Sequence, residues 1–518
     1  MTNLSDLLPA GAASKQLSFT ASGTIANGQT VILQSDGTVK AAGIEAESVG
    51  SAVVFEDGKT ISTGSAYDST NKKVVITYSD ETNSNYGTAV VGTVSGTSIS
   101  FGTPVVFDNG GVIAFTCATF DSTAGKVVIA YKDQGASDGT AVVGTVSGTS
   151  ISFGTPVAFN GDLSEPYGIA FDSSAGKVVI SYVDLGNSNY GTAIVGTVSG
   201  TSISFGTAVV FDSANLVDAD SGDIVYDITN SKVVVAYRDA SNQSHWGAAK
   251  VGTVSGTSIS FGSKAYFSDY TVYSGDASIA MTYDSTNSKV VIVAGDGNIS
   301  NKPKAHVGTV SGTSISFGTG VAVDSGGNPG VFYNAAATFD STNGKVLIIY
   351  QNINNSSYGT YYVGTVSGTS ISFGSATVYE AGTTSNNTAV FDSDQGVSVF
   401  AFRDESNSPG KGTAVCQKNT GTNISSFFGI ADAAISNAAS GKITMKGGVA
   451  TNSQLLPFAY TGSLGSEATY ESAQAEYQGI AYDSSNNRVV VAYKDDGNSS
   501  YGTCAVGTVS GTSISWGT

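Results

Sequence analysis

Short apolar runs separated by glycine-rich turns recur along most of the chain. The segment KVVIAYKD, which starts at Lys126, is almost continuously apolar, and this pattern predicts a β-strand whose two faces are both covered. It follows a small apolar segment and a D-S-x-x turn, and it precedes GTAVVGTV, a Ser-Gly-Thr turn and SISFGTPVAF. These runs predict four short antiparallel strands in each unit of about 54 residues.

The unit is repeated eight times. The string VGTVSGTSIS recurs unchanged from Val91, Val143, Val195, Val251, Val307, Val363 and Val506. A second motif is an aromatic residue followed by Asp, by Ser in all units but the fourth, and then by the apolar run. Its aspartate is at Asp68, Asp121, Asp172, Asp227, Asp284, Asp340, Asp392 and Asp483. The seventh unit departs from the others, because it reads GTAVCQKNTGTNISSF where they have the VGTVSGTSIS string.

Four antiparallel strands per repeat are typical of the blades of a β-propeller, so we expect an all-β fold. An open solenoid needs a polar capping repeat at each end, whereas a ring is sealed by distant parts of the chain. The last unit stops at SISWGT and the first begins at SAVVFEDG, and together they make one complete fourth strand. We therefore predict a closed ring of about eight blades, with seven as the alternative if the divergent unit is not a blade.

Two segments fall outside the repeats and predict a small separate β-domain. Residues 15–50 contain Asn-Gly and Asp-Gly turns between apolar runs, and residues 424–466 form an insertion with similar strand-like patterning. Neither segment is long enough to bury a core alone, so we expect them to pack together. The predicted organisation is an N-terminal tail at 1–14, the small β-domain at 15–50 and 424–466, and the propeller at 51–423 and 467–518.

Composition and charge narrow the possible partners. Charged residues make up 12% of the chain and glycine contributes 65 of 518 residues, which favours strands and turns over helices. The net charge of −18 disfavours binding to nucleic acid or to an anionic membrane. The three cysteines form no metal-ligand spacing, and we expect no metal and no cofactor. The N-terminus lacks the features of a signal peptide, which predicts synthesis in the host cytoplasm.

The two flanking segments carry a resemblance to a known family. TASGTIANGQTVILQSDGTVKAA at 20–42 and FFGIADAAISNAASGKITMKGGVATNS at 427–453 resemble a pairing found in virion structural and tail-fibre-like proteins of tailed phages, particularly marine ones. The resemblance implies a structural protein of the virion that presents a variable module to a host. It implies other virion proteins as partners through the small β-domain, and it assigns no functional residue.

The loops between the second and third strands are the candidate binding site. An aromatic residue stands beside Asp or Asn in several of them, and aromatic faces with nearby polar side chains suit a neutral glycan. The alternative is that each ring packs between neighbouring blades. The candidate residues are Tyr86, Tyr190, Trp246, Tyr358 and Tyr501, with Asp80, Asp184, Asp239 and Asp495.

Nothing in the sequence singles out a catalytic site, and we expect no enzymatic activity. The two histidines, His245 and His306, are assigned to the same loops, and no H-E-x-x-H, G-x-S-x-G or P-loop string occurs. The aspartates of the D-S-x-x motifs are expected to form turns rather than to act as acids. The sequence thus predicts a phage tail-fibre or appendage protein that recognises a host-surface glycan or receptor and could form homo-oligomers. The alternatives are a bacterial adhesin or lectin, a capsid decoration protein and a polysaccharide depolymerase.

Overall fold

The computed structural model describes residues 16–27, 30–33, 38–41, 44–215, 222–241, 245–272, 279–299, 302–324, 332–419, 421–422, 427–431, 434–436, 438–444, 475–483, 488–510 and 513–516. The predicted tail at 1–14 and residues 445–466 of the predicted insertion lie outside this part of the chain. The described residues contain strands and short 3-10 turns, and no α-helix occurs among them.

The chain divides into two compact units, 1–44 with 422–518 as unit 1 and 45–421 as unit 2. We call each repeat a module and number the modules 1 to 8 along the chain. The strands before and within modules 1 to 3 are β1 (Gln16–Thr20), β2 (Thr30–Leu33), β3 (Val39–Ala41), β4 (Ile44–Glu45), β5 (Ser48–Val49), β6 (Val53–Asp68), β7 (Lys73–Asp80), β8 (Tyr86–Ser95), β9 (Ser98–Phe101), β10 (Val105–Asp108), β11 (Ile113–Asp121), β12 (Lys126–Asp133), β13 (Asp138–Ser147), β14 (Ser150–Phe153), β15 (Val157–Asn160), β16 (Ser164–Asp172), β17 (Lys177–Asp184), β18 (Tyr190–Ser199), β19 (Ser202–Phe205) and β20 (Val209–Asn215).

The remaining strands belong to modules 4 to 8 and to the insertion. They are β21 (Gly222–Asp227), β22 (Lys232–Arg238), β23 (Trp246–Ser255), β24 (Ser258–Phe261), β25 (Ala265–Thr271), β26 (Ile279–Asp284), β27 (Lys289–Asp296), β28 (Lys302–Ser311), β29 (Ser314–Phe317), β30 (Val321–Ala322), β31 (Phe332–Asp340), β32 (Lys345–Asn352), β33 (Tyr358–Ser367), β34 (Ser370–Phe373), β35 (Thr377–Asp392), β36 (Val397–Asp404), β37 (Lys411–Lys418), β38 (Gly421–Thr422), β39 (Phe427–Ala431), β40 (Ser440–Thr444), β41 (Ala475–Asp483), β42 (Arg488–Asp495), β43 (Tyr501–Ser510) and β44 (Ser513–Trp516). The 3-10 turns span Glu81–Asn83, Gly297–Ile299, Ile353–Asn355 and Asp496–Asn498.

Modules 2 to 5 and module 8 are separate antiparallel sheets, whereas modules 1, 6 and 7 belong to one 13-stranded antiparallel sheet joined through the long strands β6 and β35. The repeated four-stranded units form a β-propeller-like, all-β fold. Module 2 is representative: its strands pair in the order β11, β12, β13 and β14, and β15 continues the fourth strand along β13. The second strand is buried on both faces, as the continuous apolar run predicts, with Val127, Val128, Ile129 and Ala130 all inaccessible to solvent. Packing between neighbouring sheets therefore supplies the core of unit 2.

In its described residues unit 2 contains modules 1 to 7, whereas the sequence analysis prefers eight blades in one ring. Module 8, which the predicted boundaries assign to the propeller, forms a separate sheet of β41 to β44 and groups with unit 1. The other sheet of unit 1 has the order β1-β40-β39-β2-β3, so strands from the two flanking segments pair directly.

The strand that precedes module 1 has a different partner from the expected one. The sequence analysis joins SAVVF to the end of module 8, but Val54 of β6 pairs with Thr413 of β37 in module 7. The register repeats that of module 1, in which Val106 pairs with Thr88. The physical reason is that module 7 lacks the VGTVSGTSIS string. Its third strand, β37, therefore lacks a fourth strand formed by the VGTVSGTSIS string. Instead, β5 and the start of β6 pair with β37 as the fourth strand of module 7.

Candidate functional site

The predicted aromatic residues occupy the first position of a third strand. Tyr86, Tyr190, Trp246 and Tyr358 begin β8, β18, β23 and β33 of modules 1, 3, 4 and 6. They therefore lie at equivalent places in four modules of unit 2. Tyr501 begins β43 of module 8 and belongs to unit 1. We call the loops that end at the first four residues the aromatic loops.

In modules 1 and 6 the aromatic loop holds its ring on a short, well-defined turn. In module 1 the Asp80 carboxylate accepts hydrogen bonds from the backbone N–H groups of Thr82 at 3.0 Å and Asn83 at 3.1 Å. Ser84 and Asn85 then take left-handed backbone conformations, with φ values of 59° and 58°. Because the turn is fixed by these contacts, Tyr86 leaves it in a defined direction.

Predicted aspartates make hydrogen bonds within their own loops. Asp495 accepts a hydrogen bond from the Asn498 N–H at 3.1 Å, and Asp133 of module 2, a module without an aromatic residue at this position, accepts the equivalent bond from the Ala136 N–H at 3.0 Å. Asp184 is buried at the same place, and its Oδ1 atom has no hydrogen-bond partner among the described residues. The geometry thus accounts for Asp80 and Asp495 as loop-capping residues, whereas no such contact is seen for Asp184 among the described residues. A direct contact of these aspartates with a ligand stays a prediction.

Asp239 is the most strongly held of the four predicted aspartates. It is fully buried, and its Oδ2 atom accepts hydrogen bonds from Lys264 Nζ at 2.9 Å and Tyr266 Oη at 2.7 Å. Burial opposes its ionisation, but the hydrogen bonds from Lys264, Ser241 and Tyr266 outweigh burial and lower the pKa of Asp239 to about 2. Tyr266 also makes an edge-to-face contact with Trp246, at a ring-centroid distance of 5.6 Å. This network therefore anchors the Trp246 loop.

The aromatic rings themselves are partly accessible. Tyr86, Tyr190, Trp246 and Tyr358 are half-buried, and Tyr501 is 64% exposed. The glycine that follows the ring has a packing role in modules 1, 4 and 6. A Cβ atom at Gly87 would lie 2.3 Å from the Phe107 ring, and one at Gly247 would lie 2.1 Å from the Phe267 ring. The glycine is thus needed for packing, while the ring beside it faces partly outward.

Equivalent positions in the other modules carry charged residues. Asp138, Lys302 and Lys411 begin the third strands of modules 2, 5 and 7. Asp133 pairs with Asp138 in the same register in which Asp80 pairs with Tyr86. Since the same backbone accepts aspartate or lysine at this point, the strand geometry does not demand an aromatic residue.

The two histidines occupy different kinds of position, and only His245 lies in a loop as predicted. His245 lies at the end of its loop with φ 49°, as expected, and burial followed by the charge of Arg238 lowers its pKa. His306, assigned to a loop from the sequence, lies within β28 and is buried. Its Nε2 atom is 2.8 Å from Tyr270 Oη, and burial followed by the charge of Lys304 lowers its pKa to about 4. His306 is therefore a neutral core residue of module 5.

A second feature of unit 2 has no counterpart in the sequence analysis. The first strands of modules 1 to 7 enclose a cavity of about 750 Å³, here called the central cavity. Its wall includes Asp223, Asn334, Asn386, Arg403 and Glu405. The sequence indicates small residues on these innermost strands, but the polar residues lie at different places in different modules, so no repeated motif reveals them.

The described residues contain neither a cluster of metal-binding side chains nor a helix that could cross a membrane. Among them, no three acidic, histidine or cysteine side chains come together as a metal site would require. The same part of the chain contains no helix of the length and apolarity that crossing a bilayer requires. The cysteines described, Cys117, Cys416 and Cys504, are all free thiols.

Comparison with known proteins gives similarity of fold alone. No protein-family model and no curated protein matches the chain. Among solved structures, AofleA from Arthrobotrys oligospora matches with 10% identity and a TM-score of 0.40, covering 69% of this chain and 97% of AofleA. A Lactobacillus plantarum protein matches with 11% identity and a TM-score of 0.43 over 71% of this chain and 96% of its own. A chain of the mitotic checkpoint complex gives 7% identity and a TM-score of 0.45, covering 72% and 95% of the two chains. At these TM-scores we draw nothing about function from the similarity.

Proposed function

We propose that this protein is a virion structural protein of a tailed phage, a tail fibre or another surface appendage, that binds host-surface glycans through a closed seven-bladed β-propeller. The virion assignment rests on the resemblance of the two flanking segments. In this proposal the small β-domain, whose sheet combines strands from both segments, attaches the protein to other virion proteins.

The proposal of a closed ring is supported by a phenylalanine–tyrosine contact that recurs at four junctions between modules of unit 2. Phe107 of module 1 packs on Tyr131 of module 2 at 5.2 Å, and Phe159 packs on Tyr182 of module 3 at 5.1 Å. Phe55, on the β6 segment that completes module 7, packs on Tyr78 of module 1 at 5.4 Å. The seventh and first sheets therefore meet through the same kind of contact as sheets that are consecutive in sequence.

Glycan binding is supported by one observation above all, the partly exposed ring that begins the third strand in modules 1, 3, 4 and 6. Packing does not require it, because Asp138, Lys302 and Lys411 occupy the same position in the other modules. A ring on a pre-formed loop offers a flat apolar surface to the C–H face of a sugar at little entropic cost. Several equivalent loops on one molecule would raise the avidity for a polysaccharide that presents the same sugar repeatedly.

The binding role is tested by replacing Tyr86, Tyr190, Tyr358 and Tyr501 together with alanine. We expect the apparent affinity for host cells or isolated host polysaccharide to fall by at least about tenfold, because the loss of each weak contact is multiplied by multivalency. The measurement is binding of the purified protein to immobilised polysaccharide, with the thermal midpoint showing that the fold is intact.

The matched control replaces Asp138, Lys302 and Lys411, which occupy the same strand position without a ring, with alanine. This triple variant should bind like the unchanged protein. Unchanged binding by the tyrosine variant, or an equal loss in both variants, would contradict the assignment of the aromatic loops.

The virion role is tested separately by immunogold labelling of phage particles with an antibody raised against residues 51–518. Gold at the tail tip or on fibres is the expected result. Gold on the head would replace the proposal with a decoration role, and gold on cell surfaces with none on particles would favour a bacterial adhesin.

A further inference from the structure

The central cavity of unit 2 has walls that can form hydrogen bonds. The first strand of modules 2 to 5 is the last in its sheet and pairs on one side only, as β11 does with β12. Its other edge therefore presents backbone N–H and C=O groups that the sheet does not use. A cavity of about 750 Å³ with such edges has the size of a small-molecule site.

One side of the cavity carries a carboxylate held in a fixed position. Asp223 on β21 accepts a hydrogen bond from the Ile224 N–H at 2.7 Å through Oδ1, and from the Met281 N–H at 2.8 Å through Oδ2. Met281 belongs to the first strand of the next module, so the carboxylate is fixed between two sheets. Each oxygen keeps acceptor capacity for a further donor.

This carboxylate has no countercharge. Among the described residues, no lysine, arginine or histidine forms an ion pair with Asp223, whereas Arg403 and Glu405, which also line the cavity, pair with each other. Burial raises the pKa of Asp223 to about 7, against smaller opposing effects of its two backbone hydrogen bonds. The titratable groups beside it are Cys117 on β11 and Tyr167 on β16, neither of which is cationic.

The surroundings of Asp223 are apolar and aromatic. The Tyr167 ring packs over Gly222, where a Cβ atom would lie 2.7 Å from the ring, and Met281 and Cys117 line the cavity beside Asp223. The Phe115 ring, also on the cavity wall, already has Lys132 Nζ 5.5 Å from its centroid. A carboxylate beside aromatic and thioether groups is a favourable environment for an organic ammonium ion, because the carboxylate supplies the charge and the rings accept the cation and its carbon atoms.

The part of the cavity wall formed by modules 6, 7 and 1 is rich in amides and hydroxyls. Asn334 donates from Nδ2 to Gln351 Oε1 at 3.3 Å, and its Oδ1 atom accepts from the Asn386 N–H at 3.1 Å. Asn386 Oδ1 in turn accepts from the Ser62 N–H at 3.0 Å. These contacts orient the amides and leave further donor and acceptor positions, which suits the hydroxyl groups of a ligand.

Backbone strain is concentrated on this cavity. Ser62, Phe115, Asn334 and Asn386 have φ values between 48° and 53°, and each stands six residues before the aspartate of its D-S-x-x motif. The strand registers shift at these four places, so each is a bulge facing the cavity. A bulky residue such as Phe115 takes this conformation only at a cost, and such strain clusters at ligand sites.

We propose that the central cavity binds a small hydroxylated amine. The ammonium group pairs with Asp223 beside Tyr167, and the hydroxyl groups bond to amides of the cavity wall such as those of Asn334 and Asn386. This inference goes beyond the proposed function and uses none of the aromatic-loop residues.

Calorimetric titration of the full chain in phosphate buffer tests the proposal. The probes are glucosamine, ethanolamine and tris(hydroxymethyl)aminomethane, each compared with its neutral counterpart glucose, ethylene glycol or pentaerythritol. We expect at least one amine to bind at least tenfold more tightly than its counterpart. Asp223→Asn should weaken that binding at least tenfold, whereas Asp162→Asn, which makes the same charge change on an exposed loop, should not.

A second cavity variant and the tyrosine variant complete the test of amine binding. If Asp223→Asn does not fold, Ala114→Phe, which narrows the cavity and keeps the carboxylate, should abolish amine binding. The tyrosine variant of the aromatic loops should retain amine binding, which separates this site from the glycan proposal. Binding of no amine in the panel, equal binding of amines and neutral counterparts, or unchanged affinity in both cavity variants would overturn the proposal.

Discussion

Aspartate has several distinct roles in unit 2, and its surroundings decide which role it has. Asp121, in a D-S-x-x motif, accepts hydrogen bonds from the Thr123 and Ala124 N–H groups at 2.9 Å each, which confirms its prediction as a turn former. Asp133 caps the next loop of the same module. Asp223 also accepts backbone hydrogen bonds, but it lines a cavity without a countercharge, and this difference makes it a candidate ligand-binding residue.

His306 supports a prediction about the dependence of stability on pH. Its pKa is lowered to about 4 in the folded protein, whereas a histidine in the unfolded chain titrates near 6.5. Between these values the unfolded chain binds a proton that the folded protein does not, so the stabilisation is complete above pH 6.5 and is lost as the pH falls towards 4. His306→Val places at this position the residue that modules 1 and 2 carry as Val90 and Val142.

We expect the wild-type protein to lose about 2 to 3 kcal/mol more than His306→Val between pH 7 and pH 4.5. The measurement is urea unfolding of both proteins at the two pH values. Asp223 has the opposite effect over this range, because its pKa is raised, but it is present in both proteins and cancels in the comparison. Valine also leaves the Tyr270 hydroxyl without its partner, which lowers stability at both pH values alike. Equal pH dependence of the two proteins would contradict a buried neutral His306.

At the scale of the element, the sequence predicts the repeated parts of the fold well. The run KVVIAYKD becomes β12, buried on both faces, and the Ser-Gly-Thr turn joins β13 to β14 as expected. These elements are predictable because the hydrophobic pattern and the turn residues agree at each repeat. The position of His306 within a strand is not predictable from the sequence. The segment KPKAH of module 5 lacks the GTAVV pattern that marks a third strand elsewhere.

The candidate sites differ in how far the sequence reveals them. The aromatic loops are local, since Asp80 and Tyr86 face each other across one loop, and a repeated motif identifies them. The central cavity is not local, because it combines residues from seven first strands that are far apart in sequence. Its features, such as the bulge at Phe115 and the position of Asp223, depend on how neighbouring sheets approach one another, and a single-sequence pattern carries no such information.

At the scale of the whole molecule, stability in unit 2 comes from contacts between successive sheets. The same contact, a phenylalanine of a fourth strand against a tyrosine of the next second strand, joins Phe211 to Tyr237 at 5.2 Å as it joins Phe107 to Tyr131. The tyrosine hydroxyl then donates to a carboxylate of the same fourth strand, as Tyr237 does to Asp212 at 2.6 Å. Unit 2 thus depends on each such contact being made, including the one formed by Phe55.

The closed ring is tested by comparing Phe55→Ala with Phe107→Ala. Both rings are about 5% exposed, and each packs on one tyrosine and one phenylalanine, Phe55 on Tyr78 and Phe101 and Phe107 on Tyr131 and Phe153. If the seventh sheet seals against the first, the two substitutions should each reduce the free energy of unfolding by about 3 to 5 kcal/mol, because each leaves a cavity of the same kind between two sheets. The measurement is chemical unfolding monitored by tyrosine and tryptophan fluorescence. The contradicting outcome is a large loss of stability for Phe107→Ala with a loss below about 1 kcal/mol for Phe55→Ala. In that case the contact between the seventh and first modules contributes little, and unit 2 behaves as an open array whose end modules unfold independently of the rest.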